Sequence, residues 1–277
     1  MVFVLVVWGG VVRLSGSGLA IPDWPLAEGR LLPRPHPNVL IEYGHRFLAM
    51  LVSLGTVAVA VLVFRSPKHR ARLGWLATAA LAALAFQVFL GARVVLEDLP
   101  IDRVVAHLLV AFTFFAILLH MALRLIEREP LRLGDPRAKG LAKFGRATAG
   151  AVLLQAGLGG WVSSSGAALA CPDFPTCHGS WFPPMAGLVG IHYAHRLGAY
   201  AVALLVLTWL VLVLRTPWPA RVRWPVRFSG ILVVIQVLLG IGNVLLRVPL
   251  PIGAAHLGTA LALFGMLLAG AYELAHA

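Results

Sequence analysis

Four histidines carry most of the chemistry this sequence offers. His45, His107, His195 and His256 each interrupt a long apolar run, and an imidazole inside such a run is costly in lipid and usually faces a bundle interior or a functional cavity. All four fall toward matching ends of their segments, so they are expected at one depth, paired within each half of the chain. Two imidazoles approaching from facing helices of a four-helix bundle are what six-coordinate haem iron needs. The plainer reading of any one of them is a helix-end histidine bonded to a loop carbonyl; four in register outweigh it. Zinc or copper would need a third nearby Cys, His or carboxylate, and neither half supplies one that recurs in its partner.

The neighbours of these histidines refine the picture. Arg46 and Arg196 directly follow His45 and His195 and are candidates for pairing with haem propionates, with snorkelling to the membrane interface as the competing reading. Gln87 and Gln236 are candidates to hydrogen-bond into each bundle or simply to join helices. Glu42 lies one helical turn before His45, so the two share a face, whereas its counterpart in the second half is His192. A carboxylate there would accept protons, hold water or stabilise a cation formed on a substrate; the bland alternative is an ion pair with Arg46. Cys171 and Cys177 stand where the first half has Ile21 and Ala27. In an oxidising external loop the simplest expectation for them is a structural disulfide pinning that loop over the second site, and a redox-active pair is the other reading.

The elements that must position these residues are membrane helices. Of 277 residues, 60% are hydrophobic and only 12% charged, and the mean hydropathy of +0.87 is far above that of a soluble domain. At roughly 20 apolar residues per span, the length allows about seven to nine helices and little else. Alternating barrel segments are absent. The formal charge of +12 is explained by cations confined to particular connections rather than by nucleic acid, and two cysteines exclude a disulfide scaffold or a four-cysteine metal site. Apolar runs predict eight helices: Met1 to Val12, Asn38 to Phe64, Gly74 to Leu96, Arg103 to Leu125, Phe144 to Val162, Ala186 to Leu214, Pro225 to Leu246 and Ile252 to Leu274. Arg65, Lys68, Arg70 and Arg72 are expected in the second loop; Arg124, Arg128, Arg132, Arg137, Lys139, Lys143 and Arg146 in the fourth; Arg215, Arg221, Arg223 and Arg227 in the sixth. The positive-inside bias makes these loops and both termini cytoplasmic, in a multi-pass plasma-membrane protein whose histidines lie toward the outer face. The first run is short for a span and lacks the basic start of a signal peptide, as if the chain began inside that helix.

The two halves match at a shift of 150 residues, falling to 149 from the third helix of each onward. Gly9-Gly10 matches Gly159-Gly160, Pro22-Asp23-Trp24-Pro25 matches Pro172-Asp173-Phe174-Pro175, and Tyr43, His45 and Arg46 match Tyr193, His195 and Arg196. Gln87 and Gly91 match Gln236 and Gly240, and His107 matches His256. The fold expected is therefore all-α: eight transmembrane helices in two tandem four-helix bundles, related by a pseudo-two-fold axis along the membrane normal. The first half spans residues 1–125, a cytoplasmic linker 126–143 and the second half 144–277. Small-residue stretches such as Ala77 to Ala85 and Gly157 to Gly160 permit close helix approach or room for a flat macrocycle.

Gly9-Gly10 through Arg13-Leu14, Ser17-Gly18-Leu19, Asp23-Trp24-Pro25 and Glu42-x-x-His45-Arg46, with Gly159-Gly160, the Cys171 to Cys177 loop and His195-Arg196 in the second half, resemble the haem A synthase family over nearly the whole chain. The resemblance implies a membrane enzyme that oxidises the C8 methyl of haem O to the formyl group of haem A for terminal oxidases, through successive hydroxylations to a geminal diol that loses water. It implies a resident haem b between His195 and His256, substrate haem O between His45 and His107, and Glu42 acting in the oxidation. It also implies haem O synthase and terminal-oxidase assembly as partners, beside an electron-transfer partner that the sequence does not identify. Many bacterial relatives carry a cysteine pair in the first external loop as well; Ile21 and Ala27 here put thiol chemistry at the substrate site in doubt. The rival functions are a di-haem b electron-transfer cytochrome resembling a quinol oxidoreductase, which gives Glu42 no role, and a proton-relaying transporter, which predicts polar residues at mid-membrane where Leu, Val and Ala prevail.

Overall fold

The computed structural model describes residues 1–27, 29–30, 32–126 and 136–276. They form eight α-helices: α1 Val2–Leu14, α2 Pro37–Arg65, α3 Pro67–Leu96, α4 Ile101–Leu125, α5 Ala138–Ser164, α6 Gly187–Leu214, α7 Ala220–Leu245 and α8 Leu250–Ala275, with one 3-10 turn at Ala167–Leu169. Among the described residues there is no strand, only the isolated bridges Ala27 to Arg30 and Cys177 to Ser180. Helices α2, α3, α4, α6, α7 and α8 are long and apolar enough to cross a membrane, and α1 is a shorter apolar helix. The chain is an all-helical, multi-pass membrane protein.

The helices outrun the apolar segments that nucleate them. Lys68, Arg70 and Arg72 lie in the first turns of α3, not in a loop, because α2 and α3 are separated by Ser66 alone. Ser66 ends one helix and caps the next, its hydroxyl accepting from the His69 N–H at 3.4 Å, with Pro67 in the first turn where its missing N–H costs nothing. Lys139, Lys143 and Arg146 likewise belong to α5, Arg221, Arg223 and Arg227 to α7, and Arg124 to α4. Arg and Lys are good helix formers, so a helix leaving the apolar layer continues until a cap stops it; hydropathy marks where a span ends, not where its helix does. Pro225 sits inside α7, in its second turn, rather than beginning it. Arg128 and Arg132 lie outside the described residues.

The chain falls into two compact units, Met1–Arg124 and Leu125–Ala277. In the first, α2, α3 and α4 close on a core of Val52, Val63, Leu73, Leu76, Ala77, Ala80, Phe114 and Met121; the small residues of α3 bring its backbone near its neighbours. In the second, α5 packs on α6 and α8, and α7 on α8. Trp209 of α6 is fully buried there and donates from Nε1 to the Leu141 carbonyl at 2.9 Å. A Cβ at Gly145 or Gly270 would come within 2.8 or 2.7 Å of its ring, so both helices need glycine at that crossing.

The repeat extends to backbone detail. The α3–α4 turn places Asp98 and Leu99 at φ +58° and +60°, and the α7–α8 turn places Arg247 and Val248 at +58° and +56°. Leu99 N–H closes onto the Val94 carbonyl at 2.8 Å and Val248 N–H onto that of Asn243 at 2.7 Å. None of these four is glycine, so both turns hold side chains in the left-handed region, where the cost is of order 1 kcal/mol per residue. The peptide bonds before Pro25 and Pro175 are both cis.

Candidate functional site

His45 stands eight residues past the first residue of α2 and His195 eight past that of α6; His107 and His256 stand six past the first residues of α4 and α8. At 1.5 Å per residue these are depths of about 12 and 9 Å from the helix starts, so within each unit the two histidines are level. Those starts are the ends joined by the long loops and by the paired left-handed turns. His45 and His107 lie within electrostatic reach of each other, as do His195 and His256.

Each ring is pressed edge-on against a glycine of the preceding helix. A Cβ on Gly9 would sit 3.1 Å from His45 Cε1, on Gly159 3.0 Å from His195 Cε1, on Gly91 3.2 Å from His107 Cε1 and on Gly240 3.3 Å from His256 Cε1. The matched glycines thus exist to admit imidazoles, a more specific role than close helix approach. Around the rings polar partners are sparse. Gln87 Nε2 and His107 Nε2 are hydrogen-bonded at 3.1 Å, and Gln236 Nε2 and His256 Nε2 at 3.2 Å. His45 Nδ1, His107 Nδ1 and His256 Nδ1 are buried without a hydrogen-bond partner. Among the described residues no group of three or more His, Cys, Asp and Glu could hold a metal ion. Paired, level imidazoles with under-used nitrogens in an apolar bundle do fit a metal that brings four equatorial ligands of its own, as a porphyrin does.

Both arginines reach the loop above them. Arg46 Nη1 donates to the carbonyls of Asp23 at 2.8 Å and Leu26 at 3.0 Å, and its Nη2 to that of Ile21 at 2.8 Å and to Glu42 Oε1 at 2.7 Å. In matching register, Arg196 Nη1 donates to Thr176 O at 2.8 Å and Nη2 to Cys171 O at 2.7 Å and Asp173 O at 2.8 Å. Neither guanidinium snorkels away. Glu42 is 3% exposed, and its second oxygen accepts from the Ile21 N–H at 2.9 Å. The carboxylate therefore pairs with Arg46 and braces the loop, and each oxygen retains a further lone pair for another donor. At the matching place His192 donates from Nδ1 to the Ala167 carbonyl at 2.8 Å.

Cys171 and Cys177 are joined in a disulfide, Cα to Cα 4.7 Å, and both are fully buried, as is Ile21 at the matching place in the first loop; Ala27 is nearly so. Inside the second loop the Asp173 carboxylate accepts from Thr176 Oγ1 at 2.5 Å, the His178 N–H at 2.7 Å and the Gly179 N–H at 2.9 Å. These donors, the Thr176 hydroxyl foremost, hold its carboxyl well below the usual carboxylate range. In the first loop Asp23 accepts from the Gly29 N–H at 2.8 Å. Sequence reasoning did not find these loop-closing aspartates, though the repeated Pro-Asp-x-Pro was their signal.

It also did not find Gln155, whose Nε2 lies 2.9 Å from His195 Nδ1 and donates to the His195 carbonyl at 2.7 Å. A signal was available: Gln155, Gln87 and Gln236 each precede by four residues the glycine that faces a histidine, and the fourth such position is Leu5.

Residues 1–268 match the family described as Cytochrome oxidase assembly protein. The Heme A synthase of Symbiobacterium thermophilum is 39% identical over 225 residues, covering 78% of this chain and 71% of that protein. That of Shewanella oneidensis is 29% identical over 319 residues, covering 100% and 94%, and that of Alkalihalophilus pseudofirmus 29% identical over 259 residues, covering 92% and 87%. With the paired histidines and the match over nearly its whole length, the chain belongs to the haem A synthase family of cytochrome oxidase assembly proteins.

Proposed function

We propose that this chain is a haem A synthase, an oxidoreductase that converts the C8 methyl of haem O to the formyl group of haem A, with the first unit as the substrate site and the second as the site of a resident haem b. The observation that carries the reading is one scaffold used twice: the same paired histidines on the same glycines, with a buried carboxylate, Glu42, one turn before the first histidine of the first unit where the second unit has His192. In the second unit His195 and His256 hold haem b, which supplies one-electron transfer when bound. In the first, His45 and His107 grip and orient the substrate's iron, so that a fixed edge of the macrocycle faces Glu42. Fixed by Arg46 and the Ile21 N–H, the carboxylate presents a preorganised negative charge and two free lone pairs to a water or to positive charge developing at the methyl carbon. Two successive hydroxylations, each a two-electron oxidation of the carbon that adds one oxygen and passes the electrons to an outside acceptor, give a geminal diol, and loss of water leaves the aldehyde. Arg46 and Arg196 keep the loops closed over the two sites; a haem propionate is received there by the guanidinium donors the loops leave, among them Arg196 Nε, which is buried without a partner.

Helices crossing the plasma membrane in two tandem units complete the picture. Both termini are cytoplasmic, in keeping with the cations at the α2–α3 and α6–α7 connections, and the haem sites lie toward the outer face. Haem O synthase and terminal-oxidase assembly are the expected neighbours. An electron-transfer cytochrome would use the same four histidines and leave Glu42 idle. The test is expression in cells that make haem O but no haem A, with haems extracted and separated. Haem A in those cells supports the synthase; haem O left unconverted beside folded protein contradicts it.

A further inference from the structure

Around the helix ends nearest the histidines, the two units present different surfaces. In the second unit the loop entering α6 carries Trp181, Phe182 and Met185, with Leu188 following in the first turn of the helix; all four are exposed, Phe182 to 90%. Between Asp173 and Arg196 the chain has no Asp, Glu, Lys or Arg. The first loop instead flanks its exposed Leu32 with Arg30, Arg34 and His36, at the places of Ser180, Pro184 and Ala186. The α7–α8 turn repeats the contrast. Leu245, Leu246 and Leu250 are exposed there, and Arg247 is the one formal charge between Arg227 and Glu273. The α3–α4 turn holds an ion network, in which Glu97 pairs with Arg93 and, at 3.3 Å, with Arg103, and Arg103 donates to Asp102 at 2.7 Å.

We propose that this rim of the second unit, Trp181, Phe182, Met185 and Leu188 with Leu245, Leu246 and Leu250, is immersed in lipid at the boundary between headgroups and acyl chains, and that it anchors the second loop in the bilayer. Exposed apolar clusters mark a contact with protein or with membrane, and the setting of these selects lipid. On α7, Ile231, Ile235, Leu238 and Leu245 recur at helical spacing on one exposed face. That face of a membrane-crossing helix runs into Leu246 without a polar step, whereas in the first unit Leu96 is followed at once by Glu97. The loop before α6 does not stand off from the helix. The Tyr193 hydroxyl donates to the Trp181 carbonyl at 2.5 Å, and Tyr193 lies six residues, about 9 Å, inside α6. Trp181 is thereby drawn back toward the apolar layer, to the interfacial level where tryptophan rings collect in membrane proteins. At that level Arg247 has headgroup phosphates within the reach of its side chain. Neither the haem assignment nor the side of the membrane enters the inference.

The experiment uses the full-length chain in phospholipid vesicles. Cys171 and Cys177 are bridged and fully buried, so Phe182→Cys and Leu246→Cys each offer one free thiol to a nitroxide label. Power-saturation electron paramagnetic resonance then compares collisions of the label with oxygen, which concentrates among acyl chains, and with a water-soluble nickel chelate. Leu204→Cys, at an exposed position within α6, gives the acyl-chain reference. Asp102→Cys, at a side chain 59% exposed on the α3–α4 turn, gives the aqueous one. The labels at Phe182 and Leu246 are expected to lose most of the nickel access shown by Asp102→Cys and to keep the oxygen access of a lipid-exposed site. Nickel access at either position equal to that of Asp102→Cys puts the rim in water and overturns the proposal. A label shielded from both reagents overturns it as well, by placing a protein surface there, a second copy or a partner. Met185→Cys stands in for either variant that does not fold.

Discussion

The loop of each unit is tied to the helix beneath it by an arginine, and the two ties differ in what stands beside the arginine. Arg46 and Arg196 each bond three loop carbonyls in the same register, but Arg46 also holds Glu42 at 2.7 Å, whereas Arg196 has the ring of Phe174 at 5.8 Å. The second loop is closed by the Cys171–Cys177 disulfide, the first by packing of Ile21 and Ala27 against Val39. The second unit thus ties its loop to its arginine with no carboxylate at the place of Glu42. The charge of Glu42 is not needed for that task, and the unit that keeps it, at the expense of burying it, is the one assigned to chemistry.

Breaking the second unit has the largest expected effect. On the proposed assignment of haem b to the second unit, His195→Ala or His256→Ala is expected to remove that haem and with it haem A formation, read from the absorption spectrum and the extracted haems. Glu42→Gln comes next: conversion of haem O is expected to fall about a hundredfold or more, while the b-type spectrum of the second unit persists. The comparison is sharpened by adding Ile21→Cys with Ala27→Cys to Glu42→Gln, giving the first loop the closure of the second. If Glu42 merely braces the loop, the added bridge restores activity; if its charge acts on the substrate, activity stays low in a protein whose loop resists proteolysis.

Smaller effects are confined to stability. Replacing both cysteines by serine frees a loop of six residues' separation, which the chain-entropy account values at about 2 kcal/mol, seen as a lower thermal midpoint with the first unit's chemistry intact. The smallest is the pH response of the second loop. The folded state holds the Asp173 carboxyl below its ordinary 3.8, so this contribution is full above that value and is lost as the pH falls beneath it. Thr176→Val, which removes the foremost donor, moves the acid loss of the loop toward the ordinary range, and hydrogen exchange of the His178 and Gly179 amides reads it.

Much of this was legible in the sequence because the repeat is a comparison the chain makes with itself. The constant shift picked out the histidines, their level placement and the odd carboxylate at Glu42 before any coordinates. The helix ends were not legible, since hydropathy reports the edge of the apolar layer and Lys68, Arg70 or Lys139 continue a helix beyond it. Nor was the work of Arg46 and Arg196: an arginine after a ligand histidine reads as a partner for an outside anion, and only the folded loop shows its own carbonyls converging on the guanidinium. Gln155 escaped for the opposite reason. A search for matches between the halves passes over positions where they differ, and Leu5 looks like ordinary packing until the amide it lacks is seen against His195.

The division of labour between the units is tested most directly by extracting the haems of the purified full-length protein and of Glu42→Gln from cells that make haem O. The account predicts haem b in both, haem A from the parent, and haem O or a hydroxylated haem accumulating in the variant. Haem b alone in both proteins, in equal amount, would contradict it and leave a chain that only carries electrons.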